Sequence, residues 1–360
     1  METTAEPVSW DLARRVAAQV GRRGSAIDGG TLRGMQRDFD EFTEIAEGLV
    51  ADSTGLRSLV GPARARVTDR AGWVSANIAS FRRLISPLTD KLSSGPMPPL
   101  LGTASRAVTG AQVGLILGWM SGRVLGQYDL LLAEDDHPED QDVVYYVGPN
   151  VRALERKYGF PPREFRLWIA LHEVTHRAQF TGVPWLRPHF IGLVERGLSM
   201  ASPDPRQLLD SLMRAASDIR AGRNPLRDAG IVGVIAGPEQ LATLHEVQAL
   251  MSVLEGHGDV TMDRAAAGLV PSAGRFSSVL RARRSEVRGT ARFLQQLIGI
   301  EAKMRQYQEG ERFVEKVEAA GGTGLFERIW QSSSMLPTLE ELRSPDSWIA
   351  RVGGPAIASA

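Results

Sequence analysis

The chain contains no cysteine among its 360 residues. This absence excludes disulfides, iron–sulfur clusters, zinc sites built from cysteine and a thiol nucleophile. A transition metal could therefore be bound only by histidine and carboxylate side chains. Histidine is itself scarce, with six residues in the whole chain. They are His137, His172, His176, His189, His245 and His257.

An excess of charge of either sign is also missing. Lys and Arg total 42 residues, and Asp and Glu total 42. This balance gives no electrostatic reason to expect nucleic acid or an anionic membrane as a partner. The first 20 residues contain no unbroken apolar run ahead of a small-residue cleavage site, so no signal peptide is predicted. We therefore expect a cytoplasmic protein.

Long hydrophobic runs are equally rare. The most apolar stretch lies between Arg106 and Arg123, with about 16 uncharged residues against the roughly 20 that a membrane span needs. From Gly110 to Gly126, a glycine recurs at every fourth position. On a helix this spacing forms one stripe that another backbone can approach closely. We predict a buried core helix here, in preference to a membrane helix.

The remaining patterns predict a mainly α-helical fold with a small β element beside the motif helix described below. A β-branched and aromatic run at 143–147 predicts a strand, and 231–236 is a strand or a loop. The sequence as a whole predicts a single domain over 1–360, with 94–103 as the best place for an internal break. Helices are predicted from Ser9 or Asp11, over 38–50, over 67–93 with Trp73, Ile78, Phe81 and Leu84 buried, after an Asn150 cap, from Pro161-Pro162 to Phe180, and from Gly237-Pro238 to Asp263.

The motif His172-Glu173-Val174-Thr175-His176 carries the chemistry. Its two histidines are four residues apart, so both imidazoles project from one helix face and suit a tetrahedral ion at about 2.0–2.1 Å. Glu173 points roughly 100° around the helix, where it flanks the metal and can take a proton from an activated water molecule. The alternative, two surface histidines beside a solvated glutamate, is disfavoured because the segment 167–180 is apolar on both sides of the motif.

The third ligand decides the type of zinc site. The three-histidine pattern HExxHxxGxxH requires glycine and histidine where this chain has Gln179 and Gly182, so that type is excluded. A glutamate would give the His2Glu set of open catalytic zinc sites. Glu195 and Glu255 both remain candidates. We favour Glu255, because Gly256 leaves space beside it and Asp259, one turn on, could orient a ligand histidine.

Four histidines lie outside the motif. His257, two residues past Glu255, could be a catalytic donor to a developing oxyanion or an ordinary polar residue at a helix bend. His245 begins only half a motif and is read as structural. His137 and His189 receive no role. Tyr145 and Tyr146, in the predicted strand, could each bring a hydroxyl to the site.

The segments HEVTHRAQFTGVPWL and LEGHGDVTMD together resemble a zincin-like family, whose members are described as hydrolases or zinc-dependent metalloproteases, sometimes in association with the biosynthesis of a deazaflavin coenzyme. The resemblance extends to DRAGWVSANIASFRRLISPL, GRVLGQYDLLL and LPTLEELRSPDSWIARV, so it covers nearly the whole chain. It implies a mostly helical fold with His172 and His176 as zinc ligands, Glu173 as catalytic residue and Glu255 as third ligand. The deazaflavin association is not adopted, because no GxGxxG or GxxxxGK[ST] motif occurs.

Two functions follow from these patterns. The first is a zinc-dependent hydrolase, more specifically a metallopeptidase, acting on a peptide or a small amide with Glu173 as general base. The second is a zinc-stabilised binding or scaffold protein without catalysis, in which the ion serves folding. The expected cofactor in both is Zn²⁺, and no nucleic acid or membrane partner is expected. The sequence does not determine the oligomeric state.

Overall fold

The computed structural model describes residues 8–21, 27–93, 99–130, 142–199, 238–285 and 300–353. The chain divides into two compact units. Unit 1 extends to Gly182 and includes Ala265–Ala273, and unit 2 holds Val183–Arg264 and the chain from Gly274 onwards. The predicted single domain over 1–360 stays a prediction. His137 and the run 231–236 lie outside the described residues.

Unit 1 holds six described helices and a small sheet, which fits the predicted mainly α class. Its longest helix, α2, begins after Asp28, whose side chain accepts a hydrogen bond from the backbone N–H of Thr31. Gly55, in the left-handed conformation at a φ of 70°, ends it. The helices are α1 (Trp10–Gly21), α2 (Gly29–Thr54), α3 (Arg70–Ser93), α4 (Pro99–Ser121), α5 (Gly148–Tyr158) and α6 (Pro162–Gly182).

The sheet of unit 1 has three strands, β1 (Arg64–Thr68), β2 (Gly126–Tyr128) and β3 (Val143–Val147). The strand order is β1-β3-β2, with β1 parallel and β2 antiparallel to β3. All five residues of β3 are buried, which confirms the strand predicted from its apolar run. The side chain of Gln127 ties β2 to α3, because it accepts a hydrogen bond from Nε1 of Trp73 and donates one to Oδ1 of Asn77.

Helix α4 packs against α1 through its glycines, as the four-residue spacing predicts. A Cβ atom at Gly110 would lie 2.4 Å from the carbonyl oxygen of Ser9, and one at Gly114 would lie 2.5 Å from that of Ala13. The stripe is shorter than predicted, because α4 ends at Ser121 and Gly126 belongs to β2. Among the described residues, no helix is long and apolar enough to cross a membrane.

The start of the third helix and the role of Asn150 were both predicted wrongly. The third helix begins at Arg70, because residues 64–68 form β1 and pair with β3. Asn150 does not cap α5, which already begins at Gly148. Its side-chain amide donates instead to the carbonyl oxygens of Ser121 and Val124, at 2.7 and 2.6 Å. Asn150 thereby fixes the chain that leads from α4 into β2.

The described residues of unit 2 form helices joined by turns, without a strand among them. Its core contains Phe313, Val317 and Trp348, all fully buried, together with Val253. The predicted helix after Gly237-Pro238 is confirmed, and α7 falls in the stretch between the histidine motif and that helix. The helices are α7 (Leu186–Ser199), α8 (Pro238–Ala265), α9 (Ala273–Ser285), α10 (Ile300–Phe326), α11 (Leu339–Arg343) and α12 (Pro345–Gly353).

Helices α8 and α10 cross at two glycines with their backbones in contact. A Cβ atom at Gly256 would lie 2.2 Å from the carbonyl carbon of Gly310, and one at Gly310 would lie 1.9 Å from the carbonyl oxygen of Ser252. Gly256 therefore accommodates the backbone of a neighbouring helix, whereas the sequence suggested that it leaves space beside Glu255. The crossing fixes α8 at the residue that follows Glu255.

Candidate metal centre

Helix α6 carries the histidine motif, and most of its residues are buried. Its apolar side chains, among them Phe165, Ile169 and Leu171, are almost fully buried. Two buried arginines anchor it further. Arg166 binds Glu155 of α5 through its Nε and Nη2 atoms, at 2.7 and 3.0 Å. These contacts hold the helix rigidly, as a precise ligand geometry requires.

The second buried arginine, Arg177, directly follows the motif and is only 1% exposed. It forms ion pairs with Glu47 of α2 at 2.6 Å and with Asp142 just before β3 at 2.5 Å. It also donates to the carbonyl oxygen of Gly61 at 2.7 Å. The side chain thus ties the motif helix to α2, to the loop before β1 and to the sheet.

His172 and His176 face each other on α6. Their Nε2 atoms are 3.2 Å apart, and their rings are nearly perpendicular, at 85°. Two nitrogen ligands on one tetrahedral zinc ion, each at about 2.05 Å, would be about 3.3 Å apart. The two nitrogens therefore already have the separation that a shared ion needs.

Glu173 lies beside the histidine pair and is 8% exposed. Its side chain runs against the backbone of Gly126 in β2. A Cβ atom at Gly126 would lie 2.5 Å from Cγ, 2.7 Å from Oε1 and 2.8 Å from Cδ of Glu173. The carboxylate can take this position only because residue 126 has no side chain.

Tyr146 of β3 is fully buried, and its hydroxyl lies 2.8 Å from the hydroxyl of Thr43. Its ring stacks on Phe39 at 3.9 Å between centroids. Burial raises the pKa of Tyr146 well above its ordinary value, and the negative charge of Glu173 raises it further. The hydroxyl stays protonated and belongs to the core that supports the sheet. This environment gives no support to the suggestion that Tyr146 brings a reactive hydroxyl to the site.

Glu255, the third ligand favoured from the sequence, lies on α8 in unit 2. Among the described residues, His172, His176 and Glu255 form a group that could hold a metal ion, with one ligand atom from each lying within 4.8 Å of the others. Glu255 is 8% exposed. Glu195, the alternative from the sequence, is exposed on α7 and is not part of this group. Two histidines and one carboxylate are the donor set of open catalytic zinc sites, so the residues present fit zinc.

His257 lies in an aromatic environment within unit 2. Its ring stacks on Phe326 at 5.3 Å between centroids and meets the ring of Trp330 edge-on at 5.2 Å. Its Nε2 atom lies 3.5 Å from the hydroxyl of Thr261. These contacts are those of a histidine that packs into a core, and its predicted role as an oxyanion donor stays a prediction. Asp259 is half-buried one turn beyond Glu255, and its predicted role in orienting a ligand histidine also stays a prediction.

The other described histidines lie in unit 2. His189 of α7 contacts the ring of Trp185, and burial together with the positive charge of Arg196 lowers the pKa of its imidazole. His245 lies half-buried in α8. Neither belongs to the group that could hold a metal.

Comparison with known proteins identifies the class. A model of the zincin-like metallopeptidase family matches residues 8–349, and the chain belongs to this family. The structure is similar to that of a candidate hydrolase with a novel fold from Chloroflexus aurantiacus, with a TM-score of 0.71 and 29% sequence identity. That likeness covers 96% of this chain and 99% of the other. A search of the curated proteins finds no match.

Two residues of the site were missed by sequence reasoning. In the sequence, Gln179 was noted only as a departure from the three-histidine pattern. In the structure, its Oε1 atom lies 3.0 Å from Nδ1 of His176. Its position three residues after a ligand histidine, on the same helix face, was an available signal. Gly126 was read as part of a helix stripe. Its contact with Glu173 depends on the tertiary fold and had no local signal.

Proposed function

We propose that the protein is a zinc-dependent hydrolase, specifically a metallopeptidase, in which His172, His176 and Glu255 hold the ion and Glu173 is the general base. The observation that carries the proposal is the pair of facing Nε2 atoms, 3.2 Å apart. The family supports the class of reaction. The absence of cysteine supports the choice of ligands, because only histidine and carboxylate donors exist in this chain.

A bound zinc ion supplies Lewis acidity, which lowers the pKa of a water molecule to about 7 and polarises a carbonyl group. The remaining chemistry belongs to side chains. The Glu173 carboxylate accepts the proton of the attacking water and then delivers it to the leaving amine. Burial at 8% exposure limits competing water around this carboxylate. The absence of a side chain at Gly126 lets the carboxylate occupy its position.

Zinc binding by single variants tests the ligand set. We expect His172→Ala, His176→Ala and Glu255→Gln each to lose most of their zinc, measured by elemental analysis after gel filtration against a chelator. Glu195→Gln is the matched control, because it removes the same charge from an exposed site. Full zinc retention in Glu255→Gln, or loss in Glu195→Gln, would contradict the proposed set.

The alternative, a zinc-stabilised scaffold without catalysis, makes a different prediction. Screening the zinc-loaded protein against a peptide library and a set of small amides separates the two functions. The hydrolase cleaves at least one substrate and stops when the zinc is removed. A scaffold cleaves none, and its melting temperature falls steeply on chelation because metal binding contributes directly to folding.

A further inference from the structure

The partner of His176 on the side away from His172 is an amide. Gln179 lies almost one turn further along α6, with its Oε1 atom 3.0 Å from Nδ1 of His176. The Gln179 side chain is fully buried, at 0% exposure. The opposite ring nitrogen, Nε2, is the one that lies 3.2 Å from His172. Gln179 therefore contacts the nitrogen of His176 that faces away from the proposed ion.

The chemistry of this contact determines where the imidazole carries its hydrogen. An amide oxygen only accepts hydrogen bonds, so the contact requires the hydrogen of His176 to be on Nδ1. In a neutral imidazole, the other nitrogen then presents a lone pair. A metal ligand needs this lone pair on Nε2, and partners of this kind fix both the tautomer and the ring orientation.

We propose that Gln179 is a positioning residue, which holds His176 as its Nδ1–H tautomer and aims Nε2 at the metal. The identity of the ion rests on the proposed function, whereas the tautomer does not. An amide suits this position because it is neutral. A carboxylate would also accept the hydrogen bond, but at a fully buried position it would add the cost of burying a further negative charge.

The tautomer can be measured without any metal. In the ¹⁵N-labelled apo protein, two-bond nitrogen–proton spectra distinguish Nδ1–H from Nε2–H imidazoles, and the His176 signal is identified by its loss in His176→Asn. We expect Nδ1–H in the unmodified protein and a mixture of both tautomers in Gln179→Met, which keeps the side-chain volume. Gln179→Glu restores the acceptor and should restore Nδ1–H. An Nε2–H signal for His176 in the unmodified protein would overturn the proposal.

Zinc affinity provides the second readout, by competition with a chromophoric chelator. Loss of such a partner costs about 10–100-fold in metal affinity, which is the loss expected for Gln179→Met. Thr175→Val is the matched control: it also removes a buried polar group from α6, a hydroxyl that donates to the carbonyl oxygen of Leu171, and it should change the zinc affinity by less than about twofold.

The two readouts separate the possible failures. Unchanged affinity and tautomer in a folded Gln179→Met protein refute the positioning role. Equal losses in Gln179→Met and Thr175→Val also refute it, because they indicate general loosening of α6. An unmodified protein that has the Nδ1–H tautomer but binds no zinc refutes the proposed function and leaves the role of Gln179 in orienting His176 intact. If Gln179→Glu fails to fold, the comparison of Gln179→Met with Thr175→Val still decides.

Discussion

Replacing Gly126 by alanine should impair catalysis without removing the metal. The new Cβ atom would lie 2.5 Å from Cγ of Glu173, whereas carbon atoms pack at about 3.5–4.0 Å. The glutamate side chain must therefore move by about 1 Å or more. A displacement of about 1 Å in an active site can cost about 100-fold in rate, and a general base contributes about 100- to 10,000-fold. We expect kcat/KM to fall by about 100-fold.

The assay compares zinc content and hydrolysis of the same substrate in three proteins. Gly122→Ala is the matched control, since the nearest atom to its Cβ would be 3.8 Å away. We expect Gly126→Ala to keep its zinc, because neither histidine nor Glu255 is the residue displaced. Activity in Gly126→Ala equal to that of Gly122→Ala would refute the placement of Glu173 against β2.

Three further predictions concern stability. Arg177→Met should lower the free energy of unfolding by about 3 kcal/mol in denaturant titrations, because it removes a buried cation and leaves the half-buried carboxylates of Glu47 and Asp142 without their partner. Arg163→Met, at an exposed ion pair, should cost less than about 1 kcal/mol, and equal costs would contradict this. The pKa of Tyr146 is raised in the folded protein, so the stability that its protonated hydroxyl contributes is fully present below about pH 10 and is lost as the pH rises above that value. Tyr146→Phe should therefore lose stability less steeply at alkaline pH, and an unchanged slope would contradict this prediction. Gly256→Ala should cost about 1–3 kcal/mol by forcing α8 and α10 apart, while Gly324→Ala, with nothing within 4 Å, should be neutral or stabilising; thermal melts compare the two.

The sequence predicted the parts of this fold that have local patterns. The all-buried run of β3 is apolar at every position, and the helix that carries the histidine motif and the long helix through Glu255 are rich in apolar residues. The four-residue glycine spacing likewise predicted the close approach to α4. For the site, the helical period alone placed His172 and His176 on one face.

The parts that were missed depend on contacts between distant residues. Strand β1 (Arg64–Thr68) is short, partly exposed and rich in arginine, so it has no alternating apolar pattern, and only its pairing with β3 makes it a strand. Helix α2 begins nine residues before the predicted Asp38. Its capping residue Asp28 was followed by two glycines, which disfavour helix, and the cap overcame them.

The residues of the site also divide into those with a local sequence signal and those that depend on distant contacts. Glu255 could be preferred to Glu195 on local grounds, and its burial against the exposure of Glu195 agrees with that preference. The reason given was incomplete, because Gly256 accommodates the backbone of α10 at Gly310. The environment of His257, between Phe326 and Trp330, depends on residues far along the chain, which the local pattern did not bring together.

The most direct test of the central claim is the Glu173→Gln variant. Glutamine keeps the size of the side chain but cannot accept the proton of water. We expect the variant to bind as much zinc as the unmodified protein. Its rate of hydrolysis should fall by at least about 100-fold, the lower bound for the contribution of a general base. Hydrolysis at the unmodified rate by the zinc-loaded Glu173→Gln protein would contradict the account.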